Sequence, residues 1–285
     1  MDGMATVKVE FEPPQPRDIS PSHPLASAWH KYNRGVAHFR ALTTVARAHM
    51  TATSDEATIE QRRLDPLTIA FYAALPQVGW EIGALVGDVA HGLRTALDHA
   101  AWAMATIRHR KVAFPICDAP ESFEALRADL ARFHSADAVA AFEGVQPYAG
   151  RHGLSWIRDV NNVDKHEAIV VVRHRLQVTK VLVTDSITGE IRLDSTNREQ
   201  PGPIDVLDGQ PILTLQQDTP GKPLLKIALA FENSLALAKD RSWPQDRLDL
   251  ILRQAMFDVE ECLTELQSFF DGPDDSEPAP AAGMP

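Results

Sequence analysis

Residues 80–107 read WEIGALVGDVAHGLRTALDHAAWAMATI. At about 100° per residue, Val89, Leu93, Ala96, Leu97, Ala100, Met104 and Ile107 fall on one face, a stripe wide enough for a core helix. The pattern predicts one long helix from about Pro76 to Arg110, with Phe114-Pro115-Ile116 breaking it. On its N-terminal side a second helix is expected from about Leu25 to Thr51, where Pro24 suits a first turn. Asp55 to Asp65 is polar and reads as loop or frayed helix end, and Leu67–Leu75 as a strand. Val7, Val9 and Phe11 alternate with charged residues, the mark of a short half-buried strand.

Beyond Pro115 the pattern predicts shorter helices over Pro120–Phe133, Ala136–Glu143 and Leu154–Asp164. The character then changes. Ala168–Val172, Leu176–Thr184 and Glu190–Leu193 are rich in β-branched residues, and further strands are expected at Ile204–Leu207, Pro211–Gln216 and Leu224–Phe231. A last amphipathic helix over Pro244–Phe270 carries Leu248, Ile251, Leu252, Ala255, Val259, Cys262, Leu263 and Leu266 at helical spacing. The expected fold is α+β, one domain over 1–270, in which a helical part (24–165) packs with a mainly antiparallel sheet (166–232) and a returning helix (244–270). The segment 271–285 reads as a disordered acidic tail.

Composition narrows the function classes. The formal charge is −11, of which Asp271, Asp274, Asp275 and Glu277 supply −4. An acidic body argues against wrapping a nucleic-acid backbone, since phosphate binding draws on Lys and Arg. No apolar run reaches the roughly 20 residues of a membrane span, and the N-terminus has no apolar signal core. Cys117 and Cys262 are far apart and form no CxxC, so free thiols in a reducing cytoplasm are expected. Walker A, GxGxxG, GxSxG and kinase signatures are missing. The basic clusters Arg108–Lys111 and Arg173–Arg175 read as a helix C-terminus and a solvent-facing strand.

The face opposite the apolar stripe is unusual. With His91 at about 0°, Arg94 falls near 300°, Thr95 near 40°, Asp98 near 340° and His99 near 80°. Trp80 and Trp102 flank this arc, and large aromatics usually contact other elements. Arg94 and Asp98 stand at i,i+4 and are spaced to pair. A surface helix would show the same polar face, so both readings stand at this point. A second polar cluster, Asn161-Asn162-Val163-Asp164-Lys165-His166, lies at a helix–strand junction, where it reads either as cap and turn or as the other wall of a pocket.

These residues resemble a group of bacterial proteins, frequent in actinobacteria, that carry a helix of the form GDxxHxLRxALDHxxW and a later NNxDKH. Here they are Gly87-Asp88, His91, Leu93-Arg94, Ala96-Leu97-Asp98-His99 and Trp102, then Asn161-Asn162 and Asp164-Lys165-His166. Phe114-Pro115-Ile116 and Gln146-Pro147-Tyr148 share the resemblance, which spans about 76–172 and brings no activity with it. Arg94 and His99 also form R-x4-H, similar to the motif of HEPN ribonucleases, which are helical, dimeric and metal-independent. That resemblance implies a His99 general acid or base and an Arg94 stabilising charge on the scissile phosphate.

The expected role is binding or regulation through a pocket around Arg94, Asp98, His99 and His166, with His91, Asn161, Asp164 and Lys165 as further contacts. The ligand or protein partner is left open. RNA enters only with the HEPN-like reading, while a homodimer is left open in either. No cofactor or metal is assigned: His91 and His99 are about 12 Å apart along the axis and cannot share an ion, and no HExxH occurs. His30, His38 and His49 are the histidines of the first helix that could partner another element's ligand.

Overall fold

The computed structural model describes residues 5–7, 14–56, 58–166, 170–185, 191–194, 204–205, 210–216, 225–237 and 247–271, with side chains for 14–53, 56, 58–165, 170–175, 210–214, 216, 234–237 and 247–271. The chain is α+β: helices dominate its first half, two sheets carry the strands, and a long helix closes it. It divides into two compact units. One comprises Met1–Glu12, Phe39–Val86 and Ala168–Ile251; the other comprises Pro13–His38, Gly87–Glu167 and Leu252–Pro285.

Among the described residues, every strand belongs to the first unit. β1 (Ala5–Val7), β8 (Leu225–Leu237), β4 (Val172–Asp185) and β5 (Ile191–Asp194) lie in that order, and β6 (Ile204–Asp205) also pairs with β4. Among the described pairings of this sheet, only β1–β8 is parallel. A bulge between Val178 and Lys180 interrupts the β4–β8 ladder. The second sheet is antiparallel, in the order β2 (Thr58–Arg63), β3 (Thr68–Ala74), β7 (Leu213–Gln216). Helix α1 (Ala26–Glu56) contributes Phe39, Leu42, Ala46 and Met50, which are buried at i, i+3, i+7 and i+11, and β3 contributes the buried Ile69 and Phe71.

Several expected boundaries move, each for a physical reason. β2 occupies the polar stretch read as loop: its side chains are almost all exposed, so no apolar alternation marks it. Pairing with β3 holds it instead, with Arg62 bonded to Glu60 and stacked over Tyr72 at 4.6 Å. The strands expected at Ala168–Val172 and Leu176–Thr184 are one strand, β4, which starts at Val172. Its basic segment is not solvent-facing: His174 and Arg175 are buried, because β4 is an inner strand bordered by β8 and β6. The remainder of the strand read at Val7–Phe11, and the tail from 272, lie outside the described residues.

The second unit is helical. α2 (Trp80–Ala103) is shorter than expected at both ends. It stops because the backbone after it is claimed elsewhere: Ala105 bridges His134, and the N–H groups of Thr106 and Ile107 donate to the Phe133 carbonyl. Ile107 therefore leaves the apolar stripe and is 58% exposed, whereas Val89, Leu93, Ala96, Leu97 and Ala100 are buried as the period requires. Arg108–Lys111 lie past the helix end and do not cap it. The tryptophans are not packed away either, being 74% (Trp80) and 40% (Trp102) exposed.

α3 (Pro120–Leu130) begins on a first-turn proline and α4 (Ala136–Gly144) on Ser135, whose hydroxyl accepts the Ala138 N–H. A short 3-10 turn, Pro147–Ala149, ends at Gly150, whose φ of 104° is the left-handed conformation that glycine adopts freely. α5 (Gly153–His166) and α6 (Leu248–Asp271) complete the unit. α1 and α2 approach closely where Gly92 faces Gly35, and Tyr32 of α1 donates to Glu260 of α6. Cys117 and Cys262 are buried free thiols. No helix among the described residues is long and apolar enough to cross a membrane.

Candidate functional site

The polar arc of α2 does not form one pocket; its members turn to three different neighbours. Arg94 and Asp98, one helical turn apart, pair with each other through Nη2 to Oδ1 at 2.8 Å and Nε to Oδ2 at 3.2 Å. The pair then seizes the backbone of Phe114: Arg94 Nη2 donates to its carbonyl at 2.8 Å, and its N–H donates to Asp98 Oδ1 at 3.0 Å. Both polar groups of one buried peptide residue are thereby satisfied by an ion pair, as burial demands. His99 instead shares a 2.7 Å hydrogen bond between Nδ1 and Ser27 Oγ of α1. Burial and then the Lys31 charge hold its pKa below the usual histidine value, against the opposing pull of Asp98.

The loop held by Arg94 and Asp98 is pinned from a second side. Gln146 is fully buried, accepting the Cys117 N–H at 2.8 Å and donating to the carbonyls of Pro115 and Phe142 at 3.0 and 2.8 Å. Arg158 of α5, paired with Asp118 at 2.9 Å, reaches the Ile116 carbonyl. Phe114 packs edge-on against Phe142 at 5.5 Å. Three of the quoted segments (LRxALDH, FPI and QPY) thus meet around residues 114–118.

The fourth segment meets α2 one to two turns earlier. His91 Nδ1 lies 3.2 Å from Asn161 Oδ1, so the ring donates from Nδ1 to the buried amide. Asp164 sits against Gly87 so closely that a Cβ there would stand 2.5 Å from its Cγ. Asp88 is beside it, exposed, with His38 Nδ1 of α1 at 3.8 Å. Burial, and after it the charge of Asp88, push the Asp164 carboxyl above the usual aspartate range despite His91 and Lys165. Lys165 and Asn162 point to solvent, and the side chain of His166 lies outside the described residues. The expected convergence of Asn161, Lys165 and His166 on Arg94, Asp98 and His99 is therefore replaced, for Asn161, by His91.

Ser27 and Arg158 escaped the sequence reading because each acts across about 40 residues or more, with no local spacing to mark it. An open groove of about 350 Å³ runs along α6, lined by Arg17, Phe257, Glu260, Glu261, Thr264 and Glu265. Its carboxylates are already paired: Glu260 with Arg17, and Glu261 and Glu265 with Arg151. Among the described residues no group of three His, Cys, Asp or Glu is placed to hold a metal ion. No protein-family model, curated protein or solved structure matches the chain.

Proposed function

We propose that the protein is a binding or regulatory protein whose ligand-facing surface is the seam of α2 and α5, built from Asp88, His91, Asn161 and Asp164. The observation that carries this reading is the seating of the Asp164 carboxylate on Gly87 beside a second carboxylate, Asp88. A half-buried acid set against a like charge costs the fold stability, and such groups concentrate where a ligand repays the cost. The complementary ligand carries a positive charge, an ammonium or guanidinium group, which relieves the repulsion and accepts no proton in doing so. Arg94 and Asp98 are the frame rather than the face, because their hydrogen bonds are spent on each other and on Phe114.

Asp164→Asn tests this in two ways. Folding raises this carboxyl's pKa, so the folded chain binds its proton more tightly than the unfolded chain does. The ionised group then lowers stability at every pH above the raised value, and the penalty fades as pH falls toward the ordinary aspartate value of about 4. The variant is expected to melt higher than wild type at pH 7, with the difference closing in acid. It is also expected to lose the stabilisation that spermidine or an arginine-rich peptide gives the wild type. A variant that melts lower at neutral pH and still responds to both probes would sink the reading.

The HEPN-like ribonuclease is the second reading, resting on the R-x4-H spacing and on the unprotonated His99 that its lowered pKa favours near neutrality. It requires an Arg94 free to meet a phosphate, which its pairing opposes. Cleavage of RNA by purified wild type, lost in a folded His99→Ala, would put that reading first. No cleavage, with a lower melting temperature for His99→Ala, assigns the histidine to the Ser27 contact.

A further inference from the structure

The sheet-bearing unit contains a pair of imidazoles that neither reading above uses. His49, on the second half of α1, and His174, on β4, bring their Nε2 atoms to 3.1 Å, with ring centroids 5.1 Å apart and planes inclined by 27°. The Pro76 carbonyl stands 3.0 Å from the same His174 nitrogen. His174 is buried, whereas His49 is half-buried. Two neutral imidazoles facing each other through one nitrogen each have a single proton between them. Here that proton has two acceptors, because His174 Nε2 faces both the His49 nitrogen and the Pro76 oxygen. One of those contacts goes without a well-aligned hydrogen.

The spacing fits another occupant. Two imidazole nitrogens bound to one zinc ion at about 2.0–2.1 Å, at a near-tetrahedral angle, stand roughly 3.0–3.4 Å apart. Imidazole suits zinc, nickel, copper and cobalt among divalent ions. We infer that His49 and His174 form a two-histidine site for a divalent first-row transition-metal ion, with solvent and the Pro76 carbonyl side completing its coordination. Ligation exchanges the Nε2–H form of the donor ring for its Nδ1–H form, so both rings stay neutral and no proton is released. The strand's alternation turns Arg173 and Arg175 to the face opposite His174, which keeps their charges off the site. Burial and the neighbouring imidazole lower the pKa of His49, so it is already in the unprotonated form a metal needs.

Cobalt(II) titrated into tag-free full-length protein, followed by its visible absorption, tests the site. Wild type is expected to bind one ion with a band that zinc(II) abolishes. His49→Gln, at the half-buried partner, is expected to weaken binding at least about tenfold. His38→Gln, at an α1 histidine that faces Asp88 instead, is expected to bind as wild type does. His174→Gln is read only after circular dichroism shows it folded, and His49→Gln carries the test if it is not. Absence of a cobalt band in wild type at millimolar ion overturns the proposal, as does a folded His49→Gln that binds like wild type.

Discussion

Replacing Arg94 with alanine is expected to lower the free energy of unfolding by about 2–3 kcal/mol. The substitution removes three donors at once, two to Asp98 and one to the Phe114 carbonyl. Breaking a fully buried ion pair costs roughly 3–5 kcal/mol, because the surviving charge is left without compensation. Asp98 retains about a third of its side-chain exposure, so water recovers part of that loss. The Phe114 carbonyl, on a buried residue, recovers less. Arg94→Lys restores the charge but not the fork that reaches Asp98 and a carbonyl together, and an intermediate loss is expected. Urea unfolding measures both, and amide exchange at Phe114 should accelerate in Arg94→Ala as the loop loosens. An unchanged midpoint with wild-type protection at Phe114 would mean the guanidinium is not part of the frame, and would return it to the ribonuclease reading.

How legible the molecule was follows from where each signal resides. The apolar stripes of α2 and α6 are local and periodic: Leu93, Leu97 and Ala100, like Leu252, Ala255, Val259 and Leu263, are buried as their spacing required. α2 was overextended because periodicity continues to Ile107, while the terminator is the Phe133 carbonyl, a distant backbone group. β2 left no trace because an edge strand with both faces wet needs no alternation. β4 was split because Arg173, His174 and Arg175 read as polar, although two of them are buried inside a sheet. In the site, the i,i+4 pairing of Arg94 and Asp98 was readable, since both partners lie on one helix. Its purpose was not, because the receiving group is a main-chain peptide that sequence cannot display. The seam of His91 and Asp88 with Asn161 and Asp164 was half visible: the residues stood out, but the seating of Asp164 on Gly87 joins two helices far apart in the chain, which no local spacing displays.

Gly153→Ala is expected to cost about 2–4 kcal/mol, more than an alanine at a helix start ordinarily would. A Cβ at this position would meet the Ala255 Cα at 2.6 Å and its N at 2.9 Å, backbone atoms of α6 with no rotamer to retreat into. The Gly153 N–H also donates at 2.7 Å to Asp258 Oδ2, a fully buried carboxylate whose other oxygen accepts from Gln254. Prying α5 from α6 to admit a methyl therefore strains packing and lengthens a charge-assisted hydrogen bond. The gain from a stiffer unfolded chain, about 0.4–1 kcal/mol, offsets only part of this. Asp258→Asn provides the contrast: it preserves the space and an acceptor for Gly153 while removing a charge whose pKa burial has already raised, so its cost should stay near 1 kcal/mol or less. Because α5 carries Asn161 and Asp164, Gly153→Ala should also shift the His91 ring resonances, which Asp258→Asn should leave in place. Equal stability of Gly153→Ala and wild type would mean that the α5–α6 contact yields easily, and that something other than this glycine sets the register of the seam.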